Sequence, residues 1–84
     1  MIHFTTRFEK NRTKLPRKIQ TRLSARLRLF EDESHHPLLN NHALGGAYEG
    51  YRSINVTGNY RAIYYEENGV YFFVRVGTHP ELYG

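Results

Sequence analysis

NYRAIYYEENGVYFFVRVG, residues 59–77, decides the fold. Two runs rich in tyrosine, phenylalanine, valine and isoleucine flank Glu67-Asn68-Gly69. Such runs around an Asn-Gly pair mark a β-hairpin, because the tightest hairpin turns need positive φ at both central residues. In the second run Val70, Phe72, Val74 and Val76 alternate with Tyr71, Phe73 and Arg75, which predicts one apolar face and one mixed face. Upstream, YEGYRSINVT (residues 48–57) has the composition of another strand, joined to the hairpin through Thr57-Gly58-Asn59.

The N-terminal half has a different period. Ile2, Phe4 and Thr6 alternate with His3, Thr5 and Arg7, as a short first strand requires. Phe8 to Arg12 suits a short helix, and Leu15-Pro16 punctuates it, since proline starts helices but does not continue them. Ile19, Leu23, Leu27 and Phe30 then recur at helical spacing, with Lys18, Arg22 and Arg26 in a row beside them. After Glu31-Asp32-Glu33 a polar stretch with Pro37, Asn40, Asn41, Gly45 and Gly46 reads as a loop. The expectation is a single α+β domain over residues 1–84: an N-terminal strand, two helices, then an antiparallel meander of three to four strands with the helices on one sheet face.

Composition narrows the function. There is no cysteine, so neither a disulfide frame nor a thiolate zinc site is available. No apolar run approaches a signal peptide's core or the roughly 20 residues of a membrane span, which points to a cytoplasmic protein without a membrane partner. The net charge of +4 is unevenly distributed. Arg7, Lys10, Arg12, Lys14, Arg17, Lys18, Arg22, Arg26 and Arg28 precede Phe30 against the single acid Glu9. A basic stripe of this kind attracts polyanions, nucleic acid first, or the acidic arm of a protein; the alternative is a solvated helix face.

Several chemistries find no support in the residues. Ser24, Ser34 and Ser53 lack a glycine-elbow context, and Gly45-Gly46 is not followed by the Lys-Ser/Thr of a phosphate loop. His35-His36 would point to opposite sides of an extended chain, so no metal or other cofactor is expected. What remains is histidine, arginine and tyrosine without a carboxylate pair. Such a set suits cleavage of RNA through its own 2′-hydroxyl, which needs a base, a cation over the phosphorane oxygens and an acid for the departing 5′-oxygen. Tyrosine adds a face on which an unstacked base can rest.

The stretch NNHALGGAYEGYRSINVTGNYRAIYY, followed by FFVRVGTHPELYG, resembles the RelE/ParE superfamily of bacterial type II toxins and, within it, the YafQ-like branch. The likeness is carried by the combination of Leu-Asn-Asn-His, a small loop, Gly-Tyr-Arg, a hairpin, a strand ending Ile-Tyr, then Gly-Thr-His and a C-terminal aromatic. It implies a RelE-like fold and an endoribonuclease that cuts mRNA, commonly on the ribosome, without a metal and under the control of a cognate antitoxin. It implies catalytic roles for His42 and His79, the latter at a place where RelE uses arginine. Tyr83 corresponds to the aromatic used against the RNA, and Arg61 to a strand arginine that contacts phosphate. Tyr60 stands where the YafQ-like branch has a functional tryptophan.

Asn55 and Asn59 depart from the pattern, standing where the best-known YafQ-like enzyme has a histidine and an aspartate. Asparagine hydrogen-bonds RNA but shuttles no proton at neutral pH. The expected assignment is therefore His79 as general acid, Arg61 as transition-state clamp with Arg52 or Arg75 assisting, and His42 or Tyr83 as base or base-orienter. A phenol of ordinary acidity is a poor base, which favours Tyr83 as a stacking platform. Asn55, Asn59 and Tyr60, with Lys18, Arg22 and Arg26 of the helix, complete the expected RNA contacts. A ParE-like gyrase inhibitor, or an inactive binding module on the same fold, is the alternative; it has no evident need for both histidines.

Overall fold

A computed structural model describes residues 1–84, in the order β1 (Ile2–Phe4), α1 (Thr6–Thr13), α2 (Arg17–Asp32), β2 (His42–Ala43), β3 (Arg52–Asn55), β4 (Tyr60–Glu67), β5 (Val70–Thr78) and α3 (His79–Tyr83). The sheet order is β1-β5-β4-β3-β2. β1 lies parallel to β5, and every other pairing is antiparallel. The β4–β5 turn is the one expected: Asn68 and Gly69 both have positive φ, 51° and 80°. This hand of turn matches the twist of the flanking strands.

Thr5 starts α1 by accepting the Phe8 amide on its hydroxyl at 3.2 Å, so the helix covers Thr6–Thr13 and is longer than the Phe8–Arg12 core of the sequence pattern. In α2, Leu23, Leu27 and Phe30 are buried along the anticipated seam. They meet Phe8, Leu39, Ile54, Val56, Ala62, Tyr64, Phe73 and Val76 in one core between the helices and the sheet. Phe30 is its centre, with Tyr64, Tyr71 and Phe73 at 5.0, 5.0 and 5.2 Å in edge-to-face contact.

Three sequence expectations are corrected. The alternation of Val70, Phe72, Val74 and Val76 on one face fails. Ile63 pairs with Arg75 but Tyr64 with Phe73, leaving Val74 as an extra residue in β5. A bulge of this kind resets the two-residue period. Phe73 before it and Val76 after it therefore share the core face, while Phe72 faces the other side.

The strand expected over residues 48–57 shortens to Arg52–Asn55, because Gly50 takes a φ of +90° after a 3-10 turn at Gly46–Tyr48. The polar loop after α2 is also partly ordered. It holds a 3-10 turn at Pro37–Leu39 and the two residues of β2, which are too few to show a period.

Beyond Phe4 the edge of β5 loses its strand partner, and α1 replaces it. The Asn11 Oδ1 accepts the Val76 amide at 3.2 Å and the Arg75 Nε at 3.3 Å. An exposed ladder edge is thereby satisfied by a side chain.

Candidate active site

The C-terminal turn is built by local chemistry. Thr78 caps α3: its hydroxyl accepts the Glu81 amide at 3.3 Å, and its own amide donates to the Glu81 Oε1 at 2.8 Å. The pair is a capping box, and Pro80 stands in the first turn, where its missing N–H costs nothing. The hydrogen bond from the Thr78 backbone holds the Glu81 carboxyl below its ordinary pKa. Gly77 makes room for that carboxylate, since a Cβ there would stand 2.9 Å from the Glu81 Oε1.

Four residues apart on α3, His79 and Tyr83 share a helix face, with ring centroids 4.6 Å apart. Both are exposed, and the His79 ring makes no hydrogen bond within the protein. Both imidazole nitrogens are open to a ligand.

Arg75 and Tyr48 hold α3 in place. The Arg75 Nη1 donates to the Tyr48 hydroxyl at 3.1 Å, and Nη2 to the Glu81 carbonyl at 3.3 Å. The Tyr48 hydroxyl donates to the Leu82 carbonyl at 3.2 Å, and its ring lies 5.6 Å from that of Tyr83. Tyr48 was not singled out from the sequence. It lay inside a stretch with strand composition, and nothing in that pattern signals a chain that turns back to meet α3.

Arg61 stands opposite Gly77 and Asn55 in the sheet, beside the pairing of Tyr60 with Thr78. Its Nη1 donates to the carbonyls of Thr57, Gly58 and Tyr60 at 2.9, 3.0 and 3.2 Å. One guanidinium nitrogen thus closes the β3–β4 turn, and no ion pair to Glu66 or Glu67 forms. Nε and Nη2 make no hydrogen bond within the protein. Asn55 beside it has a buried Oδ1 without a partner. Asn59 is exposed in the turn, with its amide on the Thr57 hydroxyl at 3.2 Å.

His42 pairs with Ser53, Ser53 with Ile63, and Ile63 with Arg75, so the four share one sheet face. Three strand spacings separate His42 from β5, about 14 Å. Its ring does not touch His79. The His42 Nδ1 donates to the Asn40 carbonyl at 2.8 Å. A carbonyl only accepts, so this bond fixes the proton on Nδ1 and leaves Nε2 with a free lone pair in the neutral ring.

The other candidates lie elsewhere. Arg52 opposes Tyr64 on the helix-covered face, where its Nε donates to the Asn41 Oδ1 at 2.8 Å. Asn41 in turn donates to the Tyr64 hydroxyl and the Ser34 carbonyl, each at 2.8 Å. Burial pushes the Tyr64 pKa up, against the lowering effect of Asn41 and Arg52. Tyr60 packs against the core.

Lys18 and Arg22 are exposed along α2, and the Arg26 Nη1 donates to the Leu38 carbonyl at 2.6 Å. The His36 Nδ1 accepts the Leu38 amide at 3.1 Å, and no three His, Asp or Glu side chains converge. The structure therefore gathers His79, Tyr83, Arg75 and Tyr48, sets Arg61 and Asn55 nearby and His42 on the same face, and leaves Arg52 and the helix cations apart.

Comparison with known proteins identifies the fold and the family. No curated protein sequence matches the chain. YafQ from E. coli superposes with a TM-score of 0.83 at 25% identity, covering 100% of this chain and 98% of that one. YafQ in the E. coli DinJ–YafQ complex gives 0.80 at 26%, with the same coverage. A YoeB/ParE toxin from Agrobacterium tumefaciens shares the fold, with a TM-score of 0.75 at 14% identity over 93% of this chain and 96% of that one. The family model for the bacterial toxin of type II toxin–antitoxin systems, YafQ, matches residues 1–84. The chain belongs to the YafQ family of type II toxins and carries its α+β, RelE-like fold.

Proposed function

We propose that this toxin is an endoribonuclease that cleaves mRNA on the ribosome by metal-independent transesterification. The observation that carries the reading is the exposed His79 ring, without a hydrogen bond inside the protein and packed at 4.6 Å against Tyr83, beside two arginines of the sheet. The 2′-oxygen attacks the adjacent phosphorus, forming the 2′,3′-cyclic phosphate as the bond to the 5′-oxygen breaks. His79 donates the proton that the 5′-oxygen takes up. The free Nε2 of His42 accepts the proton of the 2′-hydroxyl, the Asn40 carbonyl holding that ring in the basic tautomer.

Tyr48, in the connection from β2 to β3, touches Tyr83, which ties α3 to the segment that follows His42. RNA lying along that segment would meet both histidines. The free Nε and Nη2 of Arg61 offer a planar fork to the phosphorane, with Arg75 assisting. Tyr83 stacks on a base, and Asn55 and Asn59 supply hydrogen bonds. The toxin acts in the cytoplasm on translated messages, held in check by a cognate antitoxin, as YafQ is found with DinJ.

The test is His79→Ala. Growth arrest and RNA cleavage should disappear while folding and antitoxin binding persist, and cuts by the parent should map to translated frames of messages after induction. An alanine variant as toxic as the parent would remove the acid assignment. Intact messages with altered DNA supercoiling would instead favour a gyrase poison.

A further inference from the structure

Away from α3 the same sheet face carries rings that the cleavage reaction does not use. Tyr48 leads to Tyr51 at 5.8 Å, Tyr51 to Tyr65 at 5.5 Å, Tyr65 to Phe72 at 5.0 Å and Phe72 to His3 at 5.3 Å. With the contacts of Tyr83 to Tyr48 and His79 they form one unbroken ribbon, from α3 to the edge strand β1. Tyr65 and Phe72 pair across β4 and β5 on the face opposite Tyr64 and Phe73, so neither belongs to the main core, and both are only half-buried. Tyr48, Tyr51, Tyr65, Phe72 and His3 meet edge-to-face except for Tyr65 and Phe72, which stack at 15°.

Charge accompanies the rings. A hollow of about 300 Å³ beside Tyr48 and Tyr51 is also lined by Thr5, Arg7 and Arg75, and no carboxylate lines it. Cross-strand aromatic pairs stabilise sheets on their own account, but that role requires neither flanking arginines nor continuity with His79. Aromatic faces in series beside cations are the means by which proteins hold single-stranded nucleic acid, the bases stacking and the phosphates meeting the charges.

We propose that the ribbon Tyr48–Tyr51–Tyr65–Phe72–His3 is a track for single-stranded RNA on one side of the scissile bond, holding on the order of four nucleotides by base stacking, with Arg7 and Arg75 on the backbone. The assignment of RNA as ligand rests on the ribonuclease reading above. Because stacking is tolerant of base identity, the track contributes affinity and strand polarity rather than sequence choice.

Photocrosslinking tests it. The His79→Ala protein is irradiated with single-stranded oligonucleotides carrying 5-iodouridine at successive positions, and the attached residues are identified by mass spectrometry. As the label moves away from the Tyr83 contact, the crosslink should move through Tyr51, Tyr65 and Phe72 in that order. In titrations with the same oligonucleotides, Tyr65→Ala and Phe72→Ala should each weaken binding about tenfold. Binding of a dinucleotide should not change. Phe72→Leu keeps apolar packing and should show the same loss, which separates stacking from folding.

Crosslinks confined to Tyr83, or parent-like affinity in the Tyr65 and Phe72 variants, overturn the track. Variants that lose antitoxin affinity but keep RNA affinity make the ribbon a protein dock and overturn it equally. Binding and crosslinking are read without cleavage. Ordered crosslinks on a protein that cuts no RNA would therefore retain the track and reject the ribonuclease, whereas cleavage with crosslinks only at Tyr83 would do the reverse.

Discussion

Replacing Gly77 with alanine alters no group that could touch RNA, yet it should act on the helix that carries His79. The new Cβ would stand 2.9 Å from the Glu81 Oε1 and 3.5 Å from the Glu81 Cβ. Glu81 is exposed, so its carboxylate can swing away, and the cost is the loss of its 2.8 Å bond from the Thr78 amide. A capping interaction of this kind stabilises by about 1 kcal/mol. Against it, alanine in place of glycine restricts the unfolded chain and stabilises by roughly 0.4–1 kcal/mol where the backbone permits.

The single change should therefore be neutral to about 0.6 kcal/mol destabilising, a fall in Tm of no more than about 5 °C for a domain of this size. In a Glu81→Ala background the obstruction is gone, and the same substitution should become neutral or stabilising. The assay is a double-mutant cycle by urea unfolding, with amide exchange at Thr78 reporting the cap directly. A coupling near 1 kcal/mol is expected. If Gly77→Ala has the same effect in both backgrounds, within about 0.3 kcal/mol, the steric account of Gly77 is wrong.

Other consequences can be measured separately. Arg61→Ala should remove about 3 kcal/mol of transition-state stabilisation, more than a hundredfold in cleavage rate; a loss below tenfold would confine Arg61 to closing the β3–β4 turn. Tyr64 holds its proton more tightly when folded than when unfolded. Its contribution to stability is thus complete below the pH at which a free phenol titrates, about 10, and is lost as pH rises from there through its folded pKa. Tyr64→Phe should flatten that alkaline decline in urea titrations, and an unchanged slope would assign the decline to other groups. Glu81 has the opposite sign: its lowered pKa makes its contribution complete above the free carboxylate range and lost as pH falls through the folded value. The protection factor of the Thr78 amide against exchange should fall on acidification in the parent and stay flat in Glu81→Ala.

The accuracy of the sequence reading followed the range of the forces involved. Helix α2 was legible because the seam of Ile19, Leu23, Leu27 and Phe30 against the core is written as a period, and the β4–β5 turn because Asn68-Gly69 satisfies a local steric demand. The bulge at Val74 was not legible: valine suits either face, and only pairing with β4 leaves it without a partner. Arg52 and Arg61 illustrate the same divide within the site. Each sits in a motif that suggests phosphate binding, but Arg52 turns to Asn41 on the helix side, while Arg61 leaves two nitrogens free beside Asn55.

Taken alone, the sequence determined β1, α1, α2 and the β4–β5 hairpin, their order, the basic face of α2 and the resemblance to its toxin family. All of these depend on neighbours within a few residues or on a pattern carried along the chain. Tertiary structure decided which of the charged and aromatic residues meet. β1 closes on β5, the Val74 bulge sends Phe72 to the open face, and Tyr48 folds back to touch Tyr83. Such contacts join residues distant in the chain and arise only when the sheet closes, so no local pattern records them.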